Sequence, residues 1–154
     1  GIFPRHIAGR YAALARCDGE SNYLMLSDHI RFWHDAEQIQ MPTHPWELMQ
    51  IGNAGAPLET EAGWLVVTHG VGPMRQYALG AILLDIDDPC RVIGHLSEPL
   101  LVPNEDERNG YVPNVVYSCG SLIHGTRLVI AYGASDTSTT FATVPVDALL
   151  EELT

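Results

Sequence analysis

One phrase, a turn glycine running straight into an apolar strand, occurs three times in this chain: GRYAALAR at Gly9–Arg16, GWLVVTHG at Gly63–Gly70 and GTRLVIAYG at Gly125–Gly133. Each copy is followed, after a polar connection, by a second strand candidate: SNYLMLSDHI, QYALGAILLDI and TTFATVPVDAL. Less apolar third runs, DAEQIQM and RVIGHLSEPLL, come after the first two, and IFPRHI, GAPLET and VPNVVYSCG precede the three phrases. Short runs parted by Gly, Pro, Asn and Asp, with almost no sustained helical period, predict an all-β chain. The recurring order predicts a unit of about four antiparallel strands at a period of roughly 55–60 residues, close to that of β-propeller blades. A β-sandwich with strands alike by chance is the alternative. A sandwich, however, has no reason to repeat glycine, strand and second strand in one order three times.

The expected blades are approximately 1–50, 51–108 and 109–154. Propellers close with typically four to eight blades, and an open arc leaves unpaired faces at its ends. The chain therefore reads as part of one propeller domain, its remaining blades expected from another chain, a homo-oligomer or an absent N-terminal half. The start GIFPRHIAG lacks Met and the basic and apolar segments of a signal peptide, and it reads as the middle of a fold. Only HPWELMQ and the final PVDALLEEL suggest helix.

A formal charge of −11, with 19 acidic residues against 8 cationic ones, all arginine, disfavours nucleic acid and anionic membrane surfaces as partners. The longest apolar runs, such as ALGAILLDI, fall well short of the roughly 20 residues of a membrane-spanning helix. Cys17, Cys90 and Cys119 are odd in number and show no C-x-x-C spacing. They are expected to be reduced, buried thiols of a cytoplasmic protein.

Polar residues that interrupt an apolar strand near the propeller channel are the candidates for chemistry. Gln50 and Asn53 lie among glycines, with His69 nineteen positions beyond Gln50. Gly52 and Gly55 would let backbone approach a ligand closely, although spacing alone equally allows His69 to be a satisfied core histidine. In GYVPNVVYSCG, the residues Asn114, Tyr117 and Ser118 offer hydrogen bonds beside an aromatic face, a combination that suits a sugar. Asp136, in YGASDTSTT, can grip vicinal hydroxyls or cap its own turn. No P-loop, G-x-S-x-G or H-E-x-x-H is present; His29 and His34 have the wrong spacing for a helical metal pair, and DIDDP lacks the features of a calcium loop. No metal and no cofactor are expected.

The segments IGNAGAPLETEAGWLVVTHGV, YALGAILLDIDDP, EPLLVP, GYVPNVVYSCG and YGASD, taken in order, resemble the C-terminal half of glycoside hydrolase family 130. The resemblance implies a five-bladed propeller acting on β-mannosides by inverting phosphorolysis or hydrolysis, with inorganic phosphate as co-substrate in the phosphorylases. It places His69 in the phosphate and sugar site, Asp136 on hydroxyls of the −1 mannose, and Tyr77 and Tyr117 near sugar subsites. The family's general acid, an aspartate, belongs to the N-terminal half, so no catalytic residue is expected in this chain and the chain alone is expected to be inactive. Gln50 stands where the phosphorylases carry a phosphate-binding lysine, which puts phosphorolysis in question. Hydrolysis would need a carboxylate base, for which Glu59 and Glu61 are nearest in sequence. The competing reading is a non-catalytic carbohydrate-binding or scaffold propeller.

Overall fold

A computed structural model describes all residues from Gly1 to Thr154. Strands β1 (Tyr11–Ala15), β2 (Asn22–Ser27) and β3 (Asp35–Gln40) form an antiparallel meander. A short 3-10 turn at Pro45–Glu47 leads into a second sheet. There β4 (Gln50–Asn53) and β5 (Leu58–Thr60) both pair with β6 (Gly63–Val71), and β7 (Tyr77–Leu84) and β8 (Val92–His95) follow outward. β4 takes the Thr68–Val71 end of β6 and β5 the Gly63–Leu65 end, so together they make one interrupted first strand. The third sheet holds β9 (Val116–His124), β10 (Arg127–Ala134) and β11 (Ser138–Pro145), and helix α1 (Val146–Leu153) closes the chain.

The threefold phrase becomes β1, β6 and β10, the second strand of its unit each time. In the middle sheet the unit has its four strands. In the first, residues 1–3 occupy the place of a leading strand: the Phe3 amide donates to Ala12 O and the Leu14 amide to Gly1 O. The third sheet has three strands.

Burial explains why the three copies differ in pattern. β6 is buried at all nine positions because both faces of its sheet are covered, and it accordingly reads as an unbroken apolar run. Trp64, Val66, Ile82 and Leu84 pack toward the first sheet on Phe3, Ala12, Leu14 and Leu24. Leu65, Val67, Leu79, Ala81 and Leu83 pack toward the third on Val116, Leu128 and Ile130. β1 and β10 have one covered face, so their burial alternates. Each fully buried large side chain contributes about 1.5–3 kcal/mol through apolar area removed from water, which makes the middle sheet the anchor. Helix α1 seals its edge with Val146, Leu149 and Leu153. Gly94 permits that contact, since a Cβ there would sit 2.1 Å from the Leu153 carbonyl oxygen.

Four expectations need correction. IFPRHI is no strand: it makes isolated bridges at Ile2 and Ile7 only, because Pro4 lacks an amide donor and Ala8 and Gly9 turn the chain at positive φ. HPWELMQ yields a single 3-10 turn, ended when the Met49 amide joins the sheet at Val71 O. RVIGHLSEPLL is a strand only at Val92–His95. Cys17 and Cys119 are exposed and Cys90 half-buried, so the thiols are not core residues. No helix is long and apolar enough to cross a membrane.

Candidate active site

The ends of the three equivalent strands deliver Arg16 just past β1, His69 near the end of β6, and Asp136 two residues past β10. His69 is 4% exposed, and its Nε2 lies 3.2 Å from an Arg16 guanidinium nitrogen. A guanidinium only donates, so Nε2 accepts and the imidazole proton resides on Nδ1. Burial, and after it the positive charge of Arg16, push the His69 pKa down to about 4. The ring is therefore neutral at pH 7. Its Nδ1 is buried without a hydrogen-bond partner in the chain.

Gly52 sits opposite His69 in the β4–β6 pair. A Cβ on Gly52 would lie 2.5 Å from His69 Cε1, so the ring occupies the space that only glycine leaves free. Gln50 pairs with Val71, two positions along, and shares that face of the sheet with His69.

On the other side, His69 meets an aromatic pair. Its ring centroid is 5.3 Å from that of Tyr117 and 6.5 Å from that of Tyr77. Tyr77 and Tyr117 stand edge to face at 6.5 Å and line a cavity of about 450 Å³ with Met74, Arg75, Val115 and Asp136. Ser135 and Asp136 have φ of 48° and 53°. The turn that holds them is fixed from below: Ser135 is fully buried, its amide donates to Val115 O, and its hydroxyl donates to the Glu107 carbonyl. Glu107 is in turn held by the Tyr132 hydroxyl at 2.8 Å, and burial with this carboxylate partner pushes the phenol pKa up to about 12. The Asp136 carboxylate makes no hydrogen bond within the chain, which disposes of the reading in which it caps its own turn.

The remaining sequence candidates separate clearly. Asn114, at φ 60°, acts through its carbonyl, which accepts from the Tyr77 amide at 3.0 Å, while its neighbours Pro113 and Val115 line the cavity. Ser118 is a buried structural residue bonded to Ala131 O and Gly120 O. Glu59 is held by Arg5 at 2.8 Å on an exposed edge, and it lies opposite Trp64 on the face away from His69. Glu61 sits exposed in the turn after β5. Neither carboxylate is placed as a base. Sequence reasoning missed Arg16 and Arg75. Aligning the repeated phrases would have flagged Arg16, because it stands at the same strand end as His69–Gly70.

This arrangement can hold an anion beside Arg16 and a hydroxylated ring against Tyr77, Tyr117 and Asp136. A family model described as β-1,4-mannooligosaccharide phosphorylase matches residues 1–154. The chain belongs to glycoside hydrolase family 130. Among its family 130 relatives, a 1,2-β-oligomannan phosphorylase of Thermoanaerobacter sp. (strain X514) is 37% identical over 138 residues, 88% of this chain and 46% of the relative. A β-1,2-mannobiose phosphorylase of the same organism is 48% identical over 96 residues, 62% of this chain and 32% of the relative. The solved Listeria innocua β-1,2-mannobiose phosphorylase, in complex with β-1,2-mannobiose, superposes with a TM-score of 0.90 at 32% identity over 99% of this chain and 45% of that one. The chain thus spans about half the length, or less, of the relatives it matches. Its sheets have the fold of family 130 propeller structures.

Proposed function

We propose that this chain supplies part of the −1 subsite and the pocket for the attacking group in a family 130 enzyme that cleaves β-mannosides by inverting phosphorolysis. One observation carries the reading: His69, with Arg16 against its Nε2, stands beside Tyr77 and Tyr117, and those two tyrosines line a pocket with the free carboxylate of Asp136. The cation attracts phosphate, and the neutral His69, accepting from Arg16 at Nε2, keeps an uncharged N–H donor at Nδ1. Asp136 accepts from sugar hydroxyls while the tyrosine faces take the apolar side of the ring. The three sheets serve as blades 1–50, 51–108 and 109–154 of a five-bladed propeller in a cytoplasmic enzyme. Blades outside this chain complete the ring and provide the general acid.

Gln50 favours a second reading, hydrolysis, because an amide offers an anion no charge, and charge-assisted hydrogen bonds are roughly twice as strong as neutral ones. A non-catalytic carbohydrate-binding propeller is the third. The deciding experiment incubates the complete protein with β-1,2-mannobiose and with β-1,4-mannobiose, with and without inorganic phosphate. Mannose 1-phosphate formed only with phosphate supports phosphorolysis. Free mannose at equal rates in both conditions establishes hydrolysis, and binding without turnover establishes the carbohydrate-binding role.

A further inference from the structure

Away from the pocket, His44, Glu47 and His95 gather at the edge of the middle sheet. The turn that carries the first two is docked rigidly: Trp46 lies over Gly70 and Gly80, where a Cβ would come within 2.4 and 2.5 Å of the indole, and its Nε1 donates to Ser97 O at 3.0 Å. Gly70 follows His69, so this docking occupies the face of the sheet opposite the sugar pocket. Glu47 is 1% exposed, an unusual place for a carboxylate without a cation. Its Oε1 is saturated by the Thr43 amide at 3.0 Å, the Thr43 hydroxyl at 3.2 Å and the His44 amide at 3.2 Å. Its Oε2 is left facing His95 Nε2 at 3.4 Å.

The other neighbour of that nitrogen is the side-chain amide of Gln40. The Gln40 oxygen accepts from Asn22 at 2.9 Å, which turns its NH₂ group toward His95 Nε2 at 3.2 Å. Nε2 thus has two polar neighbours, the Gln40 amide and Glu47 Oε2. The His44 ring stands 4.7 Å from the His95 ring, and one donor atom from each of the three residues lies within 4.8 Å of the others. Two imidazoles and a carboxylate suit zinc, and bonds of about 2.0–2.1 Å at tetrahedral angles set ligand atoms roughly 3.3 Å apart. The Glu47–His95 separation already has that length. The carboxylate's second oxygen is held by outer hydrogen bonds, as ligating carboxylates commonly are.

We propose that His44, Glu47 and His95 bind one divalent transition-metal ion, zinc by preference, in a structural site that ties β8 to the turn leading into β4. The ion would displace any proton shared between Glu47 Oε2 and His95 Nε2, neutralise the buried carboxylate and bridge the two atoms. It would take no part in the reaction, since it lies on the other face of the sheet.

The purified protein is stripped with chelator and titrated with ZnCl₂ by calorimetry, with metal content read by mass spectrometry. The expected result is one zinc per chain and a melting temperature raised roughly 5–10 °C at a hundredfold excess over Kd. CoCl₂ is expected to give a tetrahedral-type visible absorption band. Glu47→Gln, which keeps the packing, and His95→Gln are expected each to weaken zinc binding by ten- to a hundredfold and to remove the cobalt band. Substituting the exposed His124 by Gln is expected to change neither. Absence of one-to-one binding, or binding undiminished in both Glu47→Gln and His95→Gln, would overturn the proposal.

Discussion

Acidification should destabilise this protein through His69 in a way that one substitution removes. Above pH 6.5 the imidazole is neutral in both the folded and the unfolded chain and contributes no pH dependence. Between 6.5 and about 4 the unfolded chain takes up a proton that the folded site, buried and beside Arg16, refuses. The unfolded state then binds more protons, so stability falls as pH falls. Below about 4 both states are protonated and the effect levels off. At about 1.4 kcal/mol per pH unit, the gap amounts to about 3 kcal/mol. His69→Gln keeps an acceptor for Arg16 but has no proton to gain, so the variant should lose about 3 kcal/mol less than the parent between pH 7 and pH 4. Urea unfolding of both proteins at half-unit pH intervals reads the difference directly, because all other titrating groups are common to the pair. Parallel curves, agreeing within about 0.5 kcal/mol from pH 7 to 4, would refute the reasoning and mean that His69 is solvated or paired with an acid.

Gly52→Ala should cost about 1–3 kcal/mol, seen as a drop in melting temperature, because the new methyl overlaps the His69 ring; it should also abolish any thermal protection by phosphate. Asp136→Asn should leave the melting temperature unchanged, since the carboxylate is exposed and unpartnered, yet lower kcat/KM of the complete enzyme on mannobiose by about ten- to a hundredfold through loss of a charged acceptor. Gln50→Lys should raise phosphate affinity about tenfold by isothermal titration if its side chain reaches the Arg16 pocket, and an unchanged affinity places it elsewhere. Glu59→Gln should leave turnover intact and the melting temperature nearly unchanged, as an exposed ion pair with Arg5 implies; a large loss of turnover would restore Glu59 as a candidate base.

The all-β class and the second-strand position of GRYAALAR, GWLVVTHG and GTRLVIAYG were legible because a strand with covered faces imposes its pattern locally. Val66 is apolar for the sake of the first sheet and Val67 for the third. What the pattern could not show is how far a strand extends when backbone partners decide it. IFPRHI has the composition of a strand, but Pro4 and the turn at Ala8–Gly9 leave it two bridges. The cysteines misled for a related reason: the type is often buried, yet Cys17 and Cys119 sit beyond or between residues whose burial the sheet dictates.

The pocket was half legible, and the missing half was the cation. Arg16 and His69 lie 53 residues apart, so no spacing rule joins them; only the equivalence of β1 and β6 does. That equivalence changes the meaning of Gln50. Taken alone, an amide in place of a lysine removes the charge that would hold an anion. With Arg16 already against His69, one permanent positive charge stands beside the histidine, and on the proposed reading a neutral residue two positions from Gly52 lowers the affinity for phosphate without abolishing it. A charge that the fold supplies from the neighbouring sheet is therefore the physical reason that the proposed function puts phosphate ahead of water as the attacking group.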